Sequence, residues 1–287
     1  MEVRKETIMK YKNVQVKNLK VFYRECGDTT KPTFLFLHGF PSASHMFRNL
    51  MPLLEKEFHC IAPDYIGFGQ SDTPDSHVFE YTFEHLTDYV DGLLEAIKIE
   101  KFYIYVFDYG APIGFRLAIR HPEKILGIVS QNGNVYEEGL GEKWKVRKKY
   151  WSAPTPELRK NFETAFAPET IIGQYKNGEN DGSISPDGYS LDIFYSSTKG
   201  YAERQDDLIL DYRSNVALYP EFQKYLRFYQ PKLLAAWGKN DSSFVFRGAE
   251  AFLKDDDNAK VELLDGGHFV LESHYKKMAQ LILSFFR

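Results

Sequence analysis

Only two cysteines, Cys26 and Cys60, occur in 287 residues, too few for a disulfide framework or a zinc site. Both lie in strand-like stretches and are expected to be reduced core thiols. No run of about 18 apolar residues occurs, so no membrane span is expected. Charge of one sign is not in excess either. The 36 basic and 40 acidic side chains give a net charge of −4, and nothing in that balance calls for nucleic acid or an anionic membrane as partner. The N-terminal MEVRKETIMKYKNVQV has charges every few residues and no apolar centre, so a secretory signal is not expected and a cytoplasmic location is. Internal repeats and low-complexity segments are absent. What the chain does have is 43% hydrophobic and 16% aromatic residues, ample for the core of one large α/β domain or a domain carrying an insertion.

Two alternating stretches, KNVQVKNL and KVFYREC, predict an antiparallel hairpin at a sheet edge. Continuous apolar runs follow at 33–37, 58–62, 103–107, 126–129, 233–237 and 260–264, the pattern of parallel strands buried on both faces. Amphipathic stretches such as 81–97 and 113–119 lie between most of them, and 270–286 reads as a closing helix. The spacing therefore predicts about eight strands, mostly parallel and flanked by helices. One gap is far longer than a βαβ crossover needs. It is rich in Tyr and Phe, carries helical patterns at 187–197 and 216–229, and predicts an inserted helical cap over 133–230. The core is then 1–132 plus 231–287. Such a cap roofs the carboxyl ends of the strands, where open α/β sheets bind ligands.

Within YIYVFDYGAPIGFRL an apolar strand turns directly into a helix, with Asp108 at the apex. Strand, sharp turn and helix around a reactive residue describe a nucleophile elbow, usually Gly-x-Ser-x-Gly. Here it reads Val106-Phe107-Asp108-Tyr109-Gly110, and Gly-x-Ser-x-Gly occurs nowhere in the chain, which removes the serine-hydrolase reading. Val106 stands where a small residue is usual, so a somewhat wider turn is expected. A plain helix N-cap is the other role open to Asp108.

Five motifs arrive in order: HGFP (38–41), APDYIGFGQSD (62–72), FDYGAP (107–112), WGKND (237–241) and GGHF (266–269). Together they resemble the aspartate-nucleophile branch of the α/β-hydrolase superfamily, which contains epoxide hydrolases and haloalkane dehalogenases. The resemblance implies an α/β-hydrolase fold and no cofactor or metal. It makes Asp108 the nucleophile, His268 the general base and Asp241 the acid that orients it, with Glu137 and Glu138 as fallback acids. The backbone N–H groups of Phe40 and Tyr109 become the oxyanion donors. His38, Pro41 and Trp151 are expected beside the substrate. The 64–72 stretch reads as turn architecture.

A carboxylate is ionised at neutral pH without help from a base. On saturated carbon it displaces an oxygen or halide to leave an ordinary ester, and histidine is then needed only to activate water on that ester. Haloalkane dehalogenases hold halide through a Trp after the nucleophile and commonly an Asn after HG; here those positions are Tyr109 and Phe40. Fluoroacetate dehalogenases place arginines one and four residues after the nucleophile, where this chain has Tyr109 and Pro112. The epoxide-hydrolase Trp after the nucleophile is missing too. However, DLILDYRSNVALYP resembles the segment carrying an epoxide hydrolase's proton-donating tyrosine, which makes Tyr212 the donor. Tyr150 is the candidate for the first donor. The expected activity is epoxide hydrolysis to a diol, with dehalogenation or a dehalogenase-like oxygenation as alternatives. The expected substrate is a small, mainly apolar molecule, and a homodimer is compatible with the sequence.

Overall fold

A computed structural model describes residues 8–287. Its sheet has eight strands: β1 (Lys10–Val16), β2 (Leu19–Cys26), β3 (Thr33–Leu37), β4 (His59–Pro63), β5 (Phe102–Phe107), β6 (Ile125–Gln131), β7 (Leu233–Gly238) and β8 (Ala259–Leu264). They lie in the order β1-β2-β4-β3-β5-β6-β7-β8. β1 and β2 form the antiparallel hairpin at one edge, β2 meets β4 antiparallel, and every other pairing is parallel. This is the α/β-hydrolase fold that the motif order implied. β3 is TFLFL and β4 is HCIAP, and every residue of both is buried, as strands covered by helices on both faces must be. Cys26 and Cys60 are Cα partners across β2 and β4, buried and unbonded.

β5 is central, so its carboxyl end opens onto the middle of the sheet. There Asp108 takes φ +48°, a conformation that costs a non-glycine residue about 1–2 kcal/mol. Its backbone is therefore not that of an N-cap, and Tyr109 occupies that position before the helix Gly110–Arg120. Gly110 sits so close to β3 that a Cβ there would fall 2.1 Å from the Leu37 carbonyl oxygen. The turn is thus tight despite Val106. Room for the valine comes from Gly114, one helical turn beyond Gly110, where a Cβ would lie 2.4 Å from Val106 Cγ1.

Between β6 and β7 the chain forms the helices Trp144–Ser152, Pro168–Lys176, Pro186–Ser196 and Tyr201–Tyr229. The last has 29 residues and begins well before the 216–229 stretch expected from its apolar spacing. Polar Arg204, Gln205 and Asn215 lie on its buried side, which blurs the apolar period. Among the described residues no helix is long and apolar enough to cross a membrane.

Candidate active site

The elbow points the Asp108 side chain into a cavity of about 150 Å³. The chain entering that cavity from β3 runs through Gly39, whose missing Cβ would lie 2.3 Å from Asp108 Cβ. Because Gly39 can approach so closely, the Phe40 N–H donates to Asp108 Oδ1 at 2.7 Å, and the Tyr109 N–H is directed at the same carboxylate. Asp108 Oδ2 faces His268 Nε2 across 3.7 Å, too far for a hydrogen bond. Burial raises the Asp108 pKa from its ordinary value, against the opposing pull of His268 and of the two backbone donors.

His268 follows β8. Tyr105 donates to Gln131 Oε1 at 2.8 Å, and Gln131 in turn donates to the His268 carbonyl at 3.1 Å, so the strands themselves hold the histidine loop. The imidazole packs on Phe107 with ring centroids 4.7 Å apart. Its Nδ1 meets Asp241 Oδ2 at 2.7 Å, which places the Nδ1 proton there and leaves Nε2 facing Asp108. Burial by itself would lower the His268 pKa, but Asp241 and then Asp108 outweigh it and the net shift is upward.

Asp241 is the end of a second relay. Its Oδ1 accepts the Ser243 N–H at 2.7 Å, and its Oδ2 accepts Asn132 Nδ2 at 2.9 Å as well as His268. Asn132 follows β6 at φ +46°, and its Oδ1 accepts the Gly238 N–H at 2.9 Å. The turn after β6 thus brings an amide, not a carboxylate, to Asp241. Glu137 and Glu138 are turned to the surface, paired with Lys148 and Lys254.

Tyr212 closes the cavity from the opposite side. The sequence around it explains why it is held there. Asp211 accepts the Phe83 N–H at 2.8 Å, while Ser214 and Asn215 accept from buried Arg116 at 3.1 and 2.6 Å. The helix is therefore pinned to the core on both sides of Tyr212, whose ring lies 6.0 Å from that of Tyr109. Its hydroxyl is enclosed and lacks a well-aligned hydrogen-bond partner. Burial raises its pKa well above the ordinary tyrosine value, and the neighbouring Tyr219 hydroxyl and Asp108 act in the same direction.

Four expected residues stand elsewhere. Tyr150 is buried against Phe162, outside the cavity lining. Trp151 stacks on Tyr212 at 6.1 Å and spends its indole N–H on the Ile209 carbonyl, so it supports the cavity wall from behind. His38 stacks on Tyr65 at 3.9 Å and accepts the Tyr65 N–H on Nε2, while burial lowers its pKa to about 3. Pro41 offers its carbonyl to the Tyr201 hydroxyl at 3.4 Å. His38 and Pro41 thus shape the loop that carries the Phe40 N–H, and neither lines the cavity. The 64–72 stretch is turn architecture: Asp64 accepts the Ser44 and Gln70 N–H groups at 2.7 and 2.8 Å.

The lining also holds polar residues that the motifs did not mark, among them Lys143, Arg147, Gln174 and Asn177. The lining is therefore mixed, and the aromatic-rich insertion supplies only part of it. Most of those aromatics, including Phe162, Phe166, Tyr201 and Phe222, are consumed by the core cluster instead.

Comparison with known proteins agrees with this architecture. The α/β-hydrolase fold profile matches residues 32–167. An uncharacterized hydrolase of Saccharomyces cerevisiae is 45% identical over 285 residues, covering 97% of this chain and 98% of that one. Epoxide hydrolase 2 of Caenorhabditis elegans is 24% identical over 273 residues, 91% of this chain and 75% of that one. The crystal structure of the haloalkane dehalogenase DbeA from Bradyrhizobium elkani superimposes with a TM-score of 0.81 at 23% identity. It covers 97% of this chain and 98% of its own.

Proposed function

Given that this chain belongs to the α/β-hydrolase family and is a hydrolase of it, we propose that it opens small epoxides to diols through an ester on Asp108. In the first step Asp108 Oδ2 bonds to an epoxide carbon, the ring C–O bond breaks, and the departing oxygen takes the Tyr212 proton. In the second, His268 Nε2 removes a proton from water as that water attacks the Asp108 carboxyl carbon. The Phe40 and Tyr109 N–H groups, already aimed at Asp108, then stabilise the oxyanion on its own carboxyl group. Collapse releases the diol, whose alkoxide takes the proton from His268. The second proton of the water returns to Tyr212, so the sum is epoxide plus water to diol.

The observation carrying this reading is the placement of Tyr212 in the cavity wall with Asp108, its enclosed hydroxyl neighboured by that of Tyr219 and held by no well-aligned hydrogen bond. A departing oxygen needs a proton, whereas a departing halide needs only N–H donors. The three tryptophans cannot serve a halide as they stand, because each indole N–H is bonded to a backbone carbonyl: Trp144 to Ser243, Trp151 to Ile209 and Trp237 to Phe244.

The test is His268→Gln exposed to a panel of small epoxides and haloalkanes, with diol and halide measured in parallel. The expected result is one equivalent of epoxide retained as an adduct on the peptide bearing Asp108. Turnover of a substrate by the native protein with no adduct in the variant contradicts the scheme. So does single-turnover reaction in heavy-oxygen water that labels the diol and leaves Asp108 unlabelled.

A further inference from the structure

We propose that the substrate of this site is a small epoxide bearing a carboxylate, and that the Arg147 guanidinium receives that carboxylate; the proposal rests on the reading of Asp108 as the attacking group. The helix Trp144–Ser152 lies over the cavity, and Lys143 and Arg147, one turn apart, both line it. Arg147 is half-buried. Its guanidinium lies 4.8 Å from the Trp144 ring centroid and 6.0 Å from that of Phe162, contacts that fix the plane without using its N–H donors. The polar contact it makes is a long one, 3.5 Å to the Lys143 carbonyl. Among the described residues no carboxylate pairs with it. Arg48, Arg116 and Arg159 do pair, with Glu272, Glu84 and Asp206, and Arg204, which like Arg147 has no carboxylate partner among those residues, lies outside this cavity. The ionisable groups that oppose the burial of its charge are Tyr109, Asp108 and Tyr212, all on the cavity wall.

A half-buried cation left without a counter-ion is unfavourable until an anion arrives. The carboxylates lining the cavity are Asp108, which accepts the Phe40 N–H, and Asp241, which is bonded to His268; neither pairs with Arg147. Without Arg147 and Lys143 they would repel an anionic substrate. The guanidinium offers a planar fork of donors, which matches two carboxylate oxygens better than a single spherical halide. A cavity of about 150 Å³ is well below the ~300–1,000 Å³ of drug-sized pockets, so the molecule is small.

Glycidate and its neutral isostere glycidamide separate the charge from the ring. The native protein is expected to favour glycidate in kcat/KM by about 10–100-fold, and Arg147→Gln to remove most of that preference through KM. Arg147→Lys should retain part of it. A ratio is insensitive to partial misfolding, since that scales both substrates alike. An unchanged ratio in Arg147→Gln overturns the proposal. So does a loss of halide release from neutral haloalkanes with the ratio unmoved, which would assign Arg147 to a departing halide. Calorimetric binding of glycerate against glyceramide tests the anion site without chemistry. Glycerate binding that Arg147→Gln weakens, with no epoxide turned over by the native protein, would preserve the anion site and refute the proposed function. Equal binding of the two would refute the anion site itself.

Discussion

Under the proposed mechanism, acid should stall one step and not the other. His268 must be neutral to take a proton from water, and its pKa lies above 6.5 because Asp241 and Asp108 outweigh its burial. Below that midpoint the neutral fraction falls about tenfold per pH unit. Hydrolysis of the ester should follow, to about one-tenth at one unit below the midpoint and about one-hundredth at two. Ester formation needs only ionised Asp108. Protonated His268 itself helps keep Asp108 charged, being the strongest influence opposing its burial. Ester should therefore accumulate as pH falls, for as long as Asp108, whose own pKa burial raises, stays ionised. Acid quench at millisecond times, followed by mass spectrometry of the Asp108 peptide, measures formation and decay separately. Asp241→Asn sets the magnitude. Its bond to His268 is 2.7 Å long, and a hydrogen bond to a charged group is worth about 1.5–3 kcal/mol. Losing it should move the histidine midpoint down by about 1–2 pH units, read directly by NMR titration of the imidazole. If ester formation and ester decay instead fell with one common midpoint, histidine would be acting in the first step, and the carboxylate-first argument would be wrong.

Replacing Tyr212 by Phe should slow epoxide opening about 10²–10⁴-fold, the usual range for a positioned proton donor, while the decay of preformed ester stays within a few fold; equal slowing of both would make Tyr212 structural. Gly39→Ala puts a Cβ where only 2.3 Å separates it from Asp108 Cβ and 2.8 Å from the Phe107 carbonyl oxygen. The Phe40 N–H must then move off Asp108, and ester decay should fall about 10²–10³-fold, the cost of one oxyanion donor; decay within threefold of native would show that the close approach is dispensable. His38, with a folded pKa of about 3 against an ordinary 6.5, contributes stability that is present above pH 6.5 and lost as pH falls toward 3. The loss is about 2 kcal/mol at pH 5. Urea unfolding at pH 7 and pH 5 should show that difference between native protein and His38→Gln, and parallel pH slopes in the two would contradict it.

Much of the site was legible because its chemistry is written in local runs. A buried strand ending in Asp108 and a small residue two positions on form a turn that the sequence spells out. The strand ends before Asp241 and His268 are equally plain. The same holds for the parallel strands, whose unbroken apolar runs report burial on both faces. Tyr212 was singled out only by the resemblance of its segment to an epoxide hydrolase's, and the structure shows what the polar residues around it do: Asp211, Ser214 and Asn215 each anchor the helix to the core. Asn132 gave no such signal. In SQNGN it reads as an ordinary turn residue, and only the alignment of β6 beside β7 brings its amide to Asp241.

The sequence by itself determined which side chains stand at the strand ends, because strand, turn and glycine requirements act over a few residues. It could not determine what faces them. Arg147, within WKVRKKY, has the look of one more cation on a solvated helix. Whether its guanidinium meets water or a cavity depends on how that helix is laid across the sheet. Likewise, Val106 suggested a looser elbow, and only the packing of the helix against β5 revealed that Gly114 makes the space. Close packing is a property of surfaces brought together from distant parts of the chain, and it was the tertiary structure that decided which polar groups were left free to meet a ligand.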